Sequence, residues 1–123
     1  MSRIDICVRA KGTGEILVNR GFCRDTHLRH FCENSPDPKV EEFAHHLLLG
    51  LDLSAETFEG FLADLDHTLG YLRALSPEAR EAVFSFYKAD LFDRFVEDLG
   101  ESLSFLRAFG AETDLTSVDL GIV

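Results

Sequence analysis

The chain has 123 residues, 46% of them apolar, with eleven Phe and no Trp, which is enough for a folded core without metal or disulfide staples. Its 22 acids against 12 lysines and arginines give a formal charge of −10, a surface that repels phosphate backbones and disfavours direct nucleic-acid binding. No apolar run reaches the roughly 18–20 residues of a membrane span and the N-terminus lacks a signal-peptide core, so a soluble, cytoplasmic protein without a membrane partner is expected. Three cysteines, Cys7, Cys23 and Cys32, are an odd count and read as reduced thiols.

In chain order, residues 3–10 alternate, with Ile4, Ile6, Val8 and Ala10 on one face, as a half-buried strand does. Lys11-Gly12-Thr13-Gly14 supplies a tight turn, and residues 15–19 resume with Ile16-Leu17-Val18, completing a β-hairpin. The two glycines are not a phosphate loop, since no Gly-Lys-Ser/Thr or third glycine follows. Asp25 is placed to cap a short helix over residues 26–32, and Asn34-Ser35-Pro36-Asp37-Pro38 breaks it. Asp37 as N-cap and Pro38 at the first position start a second helix, lined by Val40, Phe43, Ala44, Leu47 and Leu48 and stopped by Gly50.

Ser54 caps a third helix, from Ala55 to about Ala74, whose stripe is Phe58, Phe61, Leu62, Leu65, Leu69 and Leu72. Gly60, Ala63, His67 and Gly70 fall together on its far side, rimmed by Glu56 and Glu59. Two glycines inside a helix cost roughly 1 kcal/mol each, which points to a packing reason. Ser76-Pro77 opens a central helical stretch to Phe109, as one helix or two, with an apolar arc of roughly 220°. Asp98 falls inside that arc, and Gly110 is placed as its stop. Residues 116–123 alternate again, as a last strand pairing with the hairpin.

Charge is unevenly spread. Residues 1–36 hold six bases and four acids, a net +2, while residues 37–123 hold six bases and eighteen acids, a net −12. Between Lys39 and Arg73 there is no lysine or arginine. Such a surface attracts a basic partner, or simply keeps a Phe-rich chain soluble.

Cys23, His27, His30 and Cys32 are the densest set of reactive side chains. Thiolate and imidazole are zinc's preferred ligands, but on a helix Cys32 points roughly 140° away from His27 and no Cys-x2-Cys pair is present. Nothing around either cysteine resembles a nucleophile motif, and His45-His46 splay about 100° apart.

The sequence therefore predicts one compact α+β domain over residues 1–123, a small antiparallel sheet (N-terminal hairpin plus C-terminal strand) against four to five helices. The expected function is a non-catalytic acidic protein-binding module, with no cofactor and no metal. Its contact surface is Glu56, Glu59, Gly60, Ala63, Asp64, Asp66, His67 and Gly70, facing a basic protein partner or a second copy in a homodimer. A small acidic α+β chain without a catalytic motif resembles, in composition, bacterial immunity proteins and phage-encoded inhibitors, which implies occlusion of a basic surface. The alternatives are a metal- or small-ligand-binding domain using Cys23, His27, His30 and Cys32, and an enzyme with an unrecognised site.

Overall fold

A computed structural model describes residues 3–84 and 89–123, with side chains described at all of these except 82–84 and 89. Strand β1 (Arg3–Ala10) and strand β2 (Ile16–Arg24) form the hairpin. Gly12 and Gly14 turn it at φ 87° and 71°, the left-handed region that glycine enters without a Cβ penalty. Strand β4 (Val118–Ile122) lies on the other side of β1, pairing Ile6 with Ile122, Val8 with Leu120 and Ala10 with Val118. A strand the sequence did not reveal, β3 (Leu51–Leu53), pairs with β4 and completes an antiparallel sheet in the order β2-β1-β4-β3.

Ile4, Ile6, Val8, Phe22, Leu53, Val118, Leu120 and Ile122 are buried in one hydrophobic core that the helices complete. After β2 comes α1 (Asp25–Leu28), which runs into a π-helical turn at Arg29–Glu33 instead of continuing as α-helix. Helix α2 (Pro38–Leu49) starts as expected: Lys39 N donates to the Asp37 carboxylate at 3.0 Å, and Gly50 closes it at φ 87°.

Helix α3 begins later than its sequence suggests, at Phe58, and ends at Ala74. Ser54 and Thr57 exchange backbone and hydroxyl hydrogen bonds, closing residues 54–57 into a separate turn before the helix. Phe58, Phe61, Leu62, Leu65, Leu69 and Leu72 are buried, as their spacing predicts. Helix α4 (Pro77–Phe84) opens with Ala79 N donating to Ser76 Oγ, and α5 spans Ala89–Glu112. Whether the central stretch is one helix or two falls on residues outside those described.

Two sequence expectations need correcting here. Gly110 does not stop α5, which continues to Glu112. Its missing side chain serves packing instead, because a Cβ there would lie 2.5 Å from Cε2 of Phe58. The C-terminal strand starts at Val118, since Asp114 accepts from Thr116 N and curls Leu115–Ser117 into a 3-10 turn.

Candidate functional site: the outer face of helix α3

With its apolar stripe committed to the core, α3 turns Glu59, Gly60, Ala63, Asp64, Asp66, His67 and Gly70 outward, and all seven are exposed. The glycines decide how this face is read. A Cβ built on Gly60 or Gly70 meets nothing within 4 Å, so no neighbour within the described chain requires either glycine. The two glycines of α5 contrast with them: a Cβ at Gly100 would lie 2.9 Å from the Arg73 guanidinium, and Gly110 makes room for Phe58.

The structure does not hold all the expected site residues together. Glu56 belongs to the turn before α3, where it lines a depression on the open side of the sheet with Cys7, Arg9, Asp52 and Asp119. His67 is tied inward: its Nε2 donates to Asp37 Oδ2 at 2.8 Å, joining α3 to the N-cap of α2. That hydrogen bond, with the Lys39 backbone, holds the Asp37 carboxyl below its ordinary range.

Sequence reasoning missed a groove along one side of this face, which neither Gly60 nor Gly70 lines. Glu59, Ala63 and Asp66 line a shallow groove whose far side is Arg107, Gly110 and Ala111 of α5, with Phe58 and Leu62 beneath. Asp66 and Arg107 approach across it to 3.6 Å, an exposed pair that contributes little stability but leaves both charges at the rim. Of the three α5 residues only Gly110 gave a signal, and it read as a helix stop. The lining sets the carboxylates of Glu59 and Asp66 beside small residues, and it contains no Ser, Thr, Cys, His or Lys side chain.

The Cys/His set is divided by burial. Cys23 and Cys32 are buried, while His27 and His30 are only partly so, with the His30 ring edge-on to Phe31 at 5.1 Å. Burial pushes the Cys32 thiol up to about 12 and raises Cys23 as well, where Cys32 and Asp98 add to the effect. Burial also lowers His30, with His27 reinforcing it. Among the described residues no three His, Cys, Asp or Glu side chains are grouped to hold a metal ion.

Asp98, expected within the apolar arc, is exposed and lines a small depression with Arg3, Arg20 and Arg24 of the hairpin. Partial burial raises its carboxyl first, then Glu101 and Glu97, against the opposing pull of His27 and Arg24. Among the described residues no helix is long and apolar enough to cross a membrane. No family model, curated protein or solved structure matches the chain.

Proposed function

We propose that the protein is a non-catalytic binding module whose outer α3 face receives a basic element of a partner protein, as an inhibitor that occludes a cationic surface would. The supporting observation is the pair Gly60 and Gly70. Each weakens the helix by about 1 kcal/mol relative to alanine, and neither makes room for anything inside the described chain. Close approach by another molecule gives those glycines a purpose. Glu59, Asp64 and Asp66 supply the charge that orients it, and Phe58 and Leu62 give the groove an apolar floor.

Capture from native extract tests the reading. The wild-type chain retains a basic protein, whereas Gly60→Leu and Ala63→Arg, both pointing away from the core, fold normally and lose it. Retention by both variants would end the proposal. Sedimentation of the isolated chain separates a foreign partner from a second copy, whose like-charged rims oppose each other most strongly at low salt.

A further inference from the structure

The sheet ends on β2, whose only strand partner among the described residues is β1; the Phe22 carbonyl accepts from Ser102 Oγ of α5 at 3.4 Å, and the backbone edge before it, over residues 16–21, has no strand beside it. The opposite edge, β3, has only three residues, the short form that natural sheets use to avoid strand addition. The register on β2 skips Leu17 and again Phe22, and these two bulges bend the strand at either end. Between them residues 18–21 run in step with β1, long enough for a short added strand.

Side chains along this edge are polarised. Ile16 and Leu17 at the first bulge are 51% and 50% exposed, among the few large apolar residues left in water. Toward the other end come Arg24, exposed, and Arg20, half-buried with its guanidinium over the Phe105 ring of α5 at 4.5 Å, and β2 carries no acid at all. The hairpin as a whole, residues 3–24, holds five bases and two acids, a local +3 on a chain of −10. Arg3, Arg20 and Arg24 line the depression at the arginine end, beside Asp98 and Glu101. A second copy is a poor occupant, because self-pairing would bring two arginine-bearing, acid-free strands together and two strongly acidic chains with them.

We propose that the open edge of β2 binds, by strand addition, an extended acidic–aliphatic segment of a partner protein running antiparallel to it. Its carboxylates come first, against Arg24 and Arg20, and its aliphatic side chains follow, beside Leu17 and Ile16. Backbone hydrogen bonds along residues 18–21 supply affinity, and the charge polarity sets direction. This edge selects anionic segments and the α3 face selects cationic ones, so the two surfaces recognise different partners.

The test pans a random eight-residue peptide library against the intact chain, then titrates the enriched peptide by fluorescence anisotropy. Enriched peptides should carry acids in their N-terminal half and aliphatic residues in their C-terminal half. Their binding should slow hydrogen exchange at amides within residues 18–21. Arg24→Glu and Ile16→Lys should each weaken binding tenfold or more, and Gly60→Leu should leave it unchanged. Leu17→Lys replaces Ile16→Lys where circular dichroism finds the latter unfolded. The proposal is overturned by no enrichment, by enrichment of basic peptides, or by exchange protection elsewhere. It is equally overturned if the free chain self-associates and Ile16→Lys makes it monomeric, for then a second copy holds the edge.

Discussion

At Gly60 and Gly70 a Cβ would meet nothing within 4 Å in the described chain, so for the free chain its absence means a weaker helix and no gain in packing. Alanine at either position should therefore raise stability by about 0.5–1 kcal/mol, read as a higher urea midpoint with an unchanged slope. Gly110→Ala should act in the opposite direction. Its Cβ would meet the Phe58 ring at 2.5 Å, and overpacking of about 1–3 kcal/mol exceeds the gain in helix propensity. A loss of stability at Gly60→Ala comparable to that at Gly110→Ala would mean that α3 packs against something along its outer face in the free chain. The thiols allow a parallel comparison. Cys23 and Cys32 are buried and held in the protonated form, with Cys32 raised to about 12, whereas Cys7 is half-buried on the open side of the sheet. Since the thiolate is the reactive species, a disulfide reagent at about pH 8 should titrate one thiol in the native protein and three after unfolding. Cys7→Ser should abolish the fast phase, and added zinc should leave the melting temperature where it was. Fast reaction at Cys23 or Cys32, or a zinc-dependent rise in melting temperature, would restore the metal reading of the Cys/His set.

Among the elements, β4 stands between β1 and β3, so its removal unpairs both neighbours as well as stripping Val118, Leu120 and Ile122 from the core. At about 1.5–3 kcal/mol per fully buried apolar side chain, that loss matches the whole stability of a small domain. A chain lacking residues 116–123 should show no cooperative unfolding transition, and an unchanged denaturant midpoint would remove β4 from the fold's foundations. The link from α2 to α3 has a pH signature. The His67 hydrogen bond holds Asp37 below its ordinary range, so the unfolded chain takes up that proton first as pH falls. Its contribution is complete above about pH 4 and disappears as pH drops through the folded value. Asp37→Asn, which keeps an N-cap side chain, should be less stable than wild type near neutrality, and urea midpoints should converge as both are acidified. β1, β4 and the buried stripe of α3 were legible because their periods of two and about 3.6 are local properties of sequence. β3 was not: Leu51-Asp52-Leu53 is too short to display a period, and it is a strand because β4 lies beside it. The exposed half of α3 was legible by the same periodicity. Arg107, Gly110 and Ala111 were not, since the side of α5 that meets α3 is decided by packing between distant segments. Glu56 was misplaced because Ser54 and Thr57 close a turn of their own, a choice between two local hydrogen-bonding schemes that residue type alone leaves open.

At the scale of the molecule, the charge gradient along the sequence becomes a separation in space. The hairpin carries the excess of arginine and lysine, while the helical part of the chain carries nearly all the net negative charge. Glu59, Asp64 and Asp66 are exposed on the outer face of α3, and such charges act over a Debye length of about 8 Å at physiological ionic strength. If the α3 face receives a basic element, as proposed, these charges attract it before contact, when solvent still separates the surfaces, and add little once the interface has closed. Raising salt should therefore slow association with a basic partner while leaving dissociation nearly constant. Charge reversal at Glu59 and Asp66 should reproduce the high-salt rate at low salt without abolishing binding, and Glu56, in the turn before α3 and lining a different depression, should have a weaker effect. Gly60→Leu should do the reverse: the encounter rate is retained, and the complex dissociates faster because the surfaces cannot close. Stopped-flow association and dissociation rates for these variants separate steering from fit. If salt changed only the dissociation rate, the acids would be buried contacts at the centre of an interface, and the small-residue groove would not be where the partner seats.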